Sequence, residues 1–155
     1  MKFKEAVEKA EKEQQLEKVK QDHYLNSGIA VIPPGSLKPN EWILTYYDEK
    51  TNKVIQVVVK GEEVKFKESA TPIKPTKKPL EVENIKIDSD QALQKASQEL
   101  SKKNKKMTQV IITIQDDEKP LWKVNFVTNK LTLITYVIDA ATGRIEKEEE
   151  KTLFA

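Results

Sequence analysis

The sequence has no cysteine, four glycines, one histidine (His23) and one arginine (Arg144) in 155 residues. Each shortage excludes a kind of chemistry. Without cysteine there is no disulfide framework and no thiolate zinc site. A transition-metal site would have to be assembled from carboxylates around the single imidazole. Gly28, Gly35, Gly61 and Gly143 are too dispersed for a phosphate-cradling loop. A serine hydrolase would need His23 as its base, and no serine motif lies near it. No run approaches the ~18 apolar residues of a membrane span. Residues 1–25 are charged throughout and lack the apolar centre of a signal peptide. The expectation is a chain without catalytic residues, cofactor or metal.

What is present suits a folded domain. Hydrophobic residues make up 37% and charged residues 34%, and 27 basic side chains nearly balance 25 acidic ones. Disorder needs few apolar residues and a large net charge together, and neither holds. The length fits one ordinary domain or two small ones.

Residues 3–25 contain no Gly or Pro and read as one helix. Phe3, Ala6, Val7 and Ala10 form one stripe; Leu16, Val19 and His23 form another, displaced around the axis. The first turns are therefore expected to project as a stalk, with His23 a packed or half-exposed helix residue. Residues 26–39, with Gly28, Pro33, Pro34, Gly35 and Pro39, read as a loop. Residues 42–47, 54–60 and 64–66 alternate or are β-branched, which predicts an antiparallel meander. Pro72, Pro75 and Pro79 make residues 71–80 an extended connector, and Ile85 and Ile87 suggest a short edge strand. Asp88 with Gln91 forms a capping box for a second helix, lined by Ala92, Leu93, Ala96 and Leu100 and ending in Lys102–Lys106. Three further strands follow, over residues 110–114, 121–127 and 131–138. Asp139 to Gly143 is a tight turn with Gly143 at positive φ.

The two halves match. Trp42 and Trp122, Leu44 and Val124, and Tyr46 and Phe126 share an offset of 80. Each meander follows a helix, so a repeated unit is expected. The run Trp122-Lys-Val-Asn-Phe126, then Tyr136-Val-Ile-Asp-Ala-Ala-Thr-Gly-Arg-Ile145, resembles the PepSY domain signature over about residues 86–147. The first half is similar but lacks the Thr-Gly turn. The tandem form, led by a charged helix, resembles the TseB-like cell-wall elongation regulators. The resemblance implies an α+β fold of two tandem PepSY-like units. Each would be a helix packed on an antiparallel sheet of three to four strands, with residues 1–78 as the diverged unit and 79–155 as the second. It also implies an extracytoplasmic location, with a membrane anchor supplied by a segment beyond these residues.

Candidate sites are few. Trp42 and Trp122 alternate with apolar residues and read as core. Tyr46, Tyr47 and Tyr136 are the candidates for exposed protein recognition, because one of the adjacent pair must face away from the core. Lys102, Lys103, Lys105 and Lys106 are the candidates for an anionic wall polymer or membrane surface. With one arginine in the chain and no interleaved aromatics, nucleic acid is excluded as a partner. Asp116, Asp117 and Glu118 share one turn and cannot converge on a cation. An unpaired strand edge could accept an extended peptide. The expected function is a non-enzymatic module that regulates an envelope protein, a peptidase or a cell-wall synthase. The alternatives are a protease inhibitor or propeptide-like chaperone, and a structural spacer or dimerisation module.

Overall fold

The computed structural model describes residues 1–33, 35, 36, 38–69, 75, 76 and 78–153. In chain order the elements are α1 (Phe3–Glu11), α2 (Gln14–Val19), β1 (Tyr24–Ile32), β2 (Glu41–Asp48), β3 (Lys53–Lys60) and β4 (Glu63–Ser69). A 3-10 turn (Val82–Asn84) then leads to α3 (Ser89–Ser101), β5 (Met107–Asp117), β6 (Lys119–Thr128), β7 (Thr132–Asp139) and β8 (Ile145–Thr152). The fold is α+β.

All eight strands form one antiparallel sheet in the order β4-β3-β2-β1-β5-β6-β7-β8. This corrects the expectation of separate three- to four-stranded sheets. The joint between the halves is β1, which pairs with β5 from Ser27 opposite Gln115 to Ile32 opposite Val110. From Asn26 onward its residues read as loop in the sequence, and Tyr24 and Leu25 as the end of a helix. Gly28 does not make a turn there. It lies mid-strand, where a Cβ would stand 2.4 Å from the Phe3 ring.

The N-terminal helix breaks after Glu11, which corrects the single helix over residues 3–25 and its stalk. The break reorients the chain so that both displaced stripes pack. Phe3, Ala6 and Ala10 are fully buried, and Leu16 and Val19 nearly so. Residues 24 and 25 are already strand.

The core lies between the helices and one sheet face. Trp42, Leu44, Val57, Ile112, Trp122, Val124, Phe126, Ile134 and Ile138 are buried there. Trp42 and Trp122 sit 6.2 Å apart, ring centre to ring centre, and the Phe3 ring contacts both edge-on at 5.3 and 5.7 Å. Such aromatic contacts add about 0.5–1.5 kcal/mol beyond area burial. Both indole N–H groups are satisfied: Trp42 Nε1 donates to the Met1 carbonyl and Trp122 Nε1 to the Ile87 carbonyl, each at 3.0 Å. The start of α3 also caps α1. The Phe3 amide donates to Asp88 Oδ1 (3.1 Å) and Ser89 Oγ (3.0 Å), groups at the start of α3. The capping box of Asp88 and Gln91 is formed.

Ile85 and Ile87 do not make a strand. The 3-10 turn precedes them, and the amides of Lys86 and Ile87 both donate to the Ala140 carbonyl. Of the proline-rich connector, Pro72 and its immediate neighbours lie outside the described residues, as does Pro34 of the earlier loop. Thr76 and Leu80 are held by the sheet: Tyr24 Oη and Asn26 Nδ2 donate to the Thr76 carbonyl, and the Leu80 amide donates to Leu25.

Among the described residues, no helix covers the opposite sheet face. Ile29, Ile43, Val58, Ile111, Thr113, Asn125, Val127, Leu133 and Val137 are half-buried on it, and Val31 is 48% exposed.

Candidate functional site

The expected recognition tyrosines are not surface groups. Tyr46 and Tyr136 are 1% exposed and Tyr47 is 8% exposed. Burial pushes the Tyr46 and Tyr136 hydroxyls far above the usual phenol range. As strand alternation requires, Tyr47 faces away from the helices. On that side, however, its ring meets Tyr24 edge-on at 5.8 Å, and its hydroxyl donates to Asn52 Oδ1 at 2.8 Å. A buried, bonded phenol offers a partner little.

The lysine run is also internally engaged. Lys102 pairs with Glu99 at 3.0 Å and Lys103 with Glu148 at 3.1 Å, and Lys105 pairs with Glu150. The carboxylates of β8 take up two of the four charges intended for an anionic surface. β8 reads Ile-Glu-Lys-Glu-Glu-Glu-Lys-Thr, and β4 carries Glu63, Lys65, Lys67 and Glu68. Both sheet edges are thus lined with charge, the usual guard against strand addition.

Asp116, Asp117 and Glu118 remain at a hairpin, with Glu118 at φ 68° and Asp117 opposite Lys119.

The sheet register instead assembles a cluster that the linear sequence separates. The α2 helix ends as the His23 amide donates to the Val19 carbonyl. Tyr24 then pairs with Tyr47, which sets Asp22 and His23 beside Asp48. One ligand atom from each of Asp22, His23 and Asp48 lies within 4.8 Å of the others. His23 Nδ1 is 2.5 Å from Asp22 Oδ1, and only 9% of the His23 side chain is exposed. Asp48 is fixed by its own hairpin: Oδ1 accepts from the Lys50 amide (2.9 Å) and Oδ2 from the Thr51 hydroxyl (2.8 Å). The Thr51 bond is the largest of the effects that hold the Asp48 carboxyl below the usual range; the neighbouring amides and the His23 charge act the same way. The three residues open onto a crevice of about 710 Å³. Its walls include Thr51, Asn52, Lys53 and Glu68.

The resembling turn has the expected chemistry. Asp139 Oδ1 accepts from the amides of Ala141 (2.8 Å) and Thr142 (3.3 Å), and Gly143 stands at φ +79°. These groups shape the chain, and the Asp139 carboxylate is further occupied by Lys119 at 3.1 Å.

Residues 86–149 match the family model described as the peptidase propeptide and YPEB domain, PepSY. No curated protein matches the chain. Among solved structures, the chain resembles that of a candidate lipoprotein from Clostridium difficile 630, with a TM-score of 0.56 and 14% identity over 88% of each chain. That likeness is one of fold. No helix among the described residues is long and apolar enough to cross a membrane.

Proposed function

We propose that this chain is a non-enzymatic, extracytoplasmic module of two tandem PepSY-like units, residues 1–78 and 79–155, that binds and regulates an envelope enzyme. The observation that carries this reading is the one-sided sheet. The helices cover one face, while Ile29, Val31, Ile111, Val127 and Leu133 stand partly bare on the other. Partly exposed apolar residues drawn from adjacent strands are what a protein partner buries.

The tandem arrangement is supported by equivalences that composition does not require. Each indole N–H meets the carbonyl just before a helix N-cap, Met1 before Lys2 and Ile87 before Asp88. The buried helix positions Phe3, Ala6, Val7 and Ala10 recur at the same spacing as Ser89, Ala92, Leu93 and Ala96. The halves then meet antiparallel near the pair Ile29 and Thr113. The family match over the second half supports the PepSY assignment. The fold likeness to a candidate lipoprotein supports anchoring outside the cytoplasm by a further segment.

The partner class in this reading is a cell-wall synthase or a peptidase. The test is photocrosslinking in intact cells, with the reactive group placed at Val31 or Leu133 on the bare face and at Gln94 on α3 as control. Capture of a synthase or peptidase from the bare face alone supports the reading. Equal capture from both faces, or none, overturns it. A second reading, inhibition or chaperoning of a peptidase, is favoured by the propeptide character of the matched family. A direct assay in which the chain leaves peptidase activity and refolding unchanged would remove it.

A further inference from the structure

We propose that Asp22, His23 and Asp48 form a binding site for a divalent first-row transition cation, with Zn²⁺ as the fitting ion. Three features carry this. First, the donor set is one imidazole and two carboxylates, a combination suited to Zn²⁺ and its neighbours. Mg²⁺ and Ca²⁺ need six or more oxygens and gain little from an imidazole. Second, the donors are already gathered, with all three ligand atoms within 4.8 Å. Ligands at the ~2.0–2.2 Å bond lengths of zinc stand roughly 3–4 Å apart, so seating the ion requires the 2.5 Å contact between His23 Nδ1 and Asp22 Oδ1 to open while the wider spacings close. Asp22, whose side chain is 62% exposed, is free to shift, while Asp48 is held by Lys50 and Thr51. Third, His23 is the chain's one imidazole, its side chain is nine-tenths buried, and it lines the crevice beside both carboxylates.

The surroundings admit a cation. Glu68 joins the two aspartates on the crevice walls, against Lys53, and Glu49, Lys20 and Lys50 line an adjoining crevice that shares Asp22, His23 and Asp48. Lys20 is further tied to Glu11 at 3.3 Å. Water would complete the coordination on the open side, since three protein ligands leave at least one position unfilled. The site joins the end of α2 to the β2–β3 hairpin, so a bound ion would brace two segments that are otherwise linked through one strand pair. This inference stands apart from the regulatory reading and survives its failure.

The single histidine makes the test clean. The full chain, metal-free, is titrated with zinc chloride while the imidazole ¹⁵N resonances are followed by NMR and the heat is followed by calorimetry. One equivalent should bind, shift the His23 signals and raise the melting temperature. Calcium and magnesium chloride should do neither. His23→Gln and Asp22→Asn should each weaken zinc binding by about tenfold or more. Asp22 is exposed, so Asp22→Asn should melt like the parent without metal, which separates loss of a ligand from loss of fold. Binding that is absent, non-saturating, equal for calcium, or unchanged in both variants overturns the proposal.

Discussion

The edge of the Phe3 ring occupies the space above Gly28: its Cε1 lies 2.4 Å from where a glycine-to-alanine change would place a methyl carbon. The contact joins the first helix to the central strand, and the same ring touches both tryptophans. Gly28→Ala should therefore cost about 1–3 kcal/mol through overpacking. Trimming the ring in the same chain, as Gly28→Ala with Phe3→Leu, should cost less than the two single changes added together, because the sites are in contact. Urea denaturation of the four chains checks this; strictly additive losses would mean that the ring does not rest on the glycine.

The turn after β7 offers a second test. Gly143 has φ +79° and its carbonyl accepts from Lys95 Nζ at 2.7 Å. A β-branched residue adopts that backbone only with strain of about 1–3 kcal/mol, whereas asparagine tolerates it. Gly143→Val should melt well below Gly143→Asn. Equal melting temperatures would remove backbone strain as the reason for glycine here.

Acid should weaken the same turn. Burial alone raises the Asp139 carboxyl, but the Ala141 amide, Lys119 and the Thr142 amide outweigh it and hold the group below the ordinary aspartate value. A carboxyl lowered by folding stabilises the native state above its unfolded value, near 3.9, and loses that contribution as pH falls through its folded value. Asp139→Asn should thus be less stable than the parent at pH 7, with the difference shrinking below about pH 4. A gap that stays constant down to pH 2 would show that the charge is not what matters.

The two indoles test the proposed equivalence of the halves. Trp42→Phe orphans the Met1 carbonyl and Trp122→Phe orphans the Ile87 carbonyl. A buried acceptor left unpaired costs about 1–3 kcal/mol. Similar losses in the two variants support matched roles. A loss confined to Trp122→Phe would argue that only the second half uses this anchor.

Local chemistry made much of this fold legible. Period-2 runs around Trp42 and Trp122 give the inner strands, the Asp88–Gln91 spacing gives the start of α3, and Asp139 to Gly143 gives the turn. β1 was hidden because Asn26, Ser27 and Gly28 resemble loop residues, and the prolines that follow reinforce that reading. Its glycine serves the Phe3 ring, a contact 25 positions distant. The break after Glu11 carries no glycine or proline, so only the displaced stripes betray it. Tyr47 faces away from the helices as alternation requires, but Tyr24 covers it, and no local pattern reports that cover. The Asp22, His23 and Asp48 cluster depends on the pairing of Tyr24 with Tyr47, and register is a property of two strands together.

The pairing of β1 with β5 gives the linker a role of its own. The outer edges of the sheet bristle with lysine and glutamate, whereas the β5 stretch that meets β1 is Val-Ile-Ile-Thr-Ile-Gln, without a charge. Each half therefore has one repellent border and one adhesive border, and the adhesive borders are spent on each other. On the proposed tandem reading, the two halves amount to a dimer made permanent by a tether, with association replaced by an intramolecular closure that dilution cannot reverse. Cutting the chain between the halves would leave the uncharged border of β5 open to solvent.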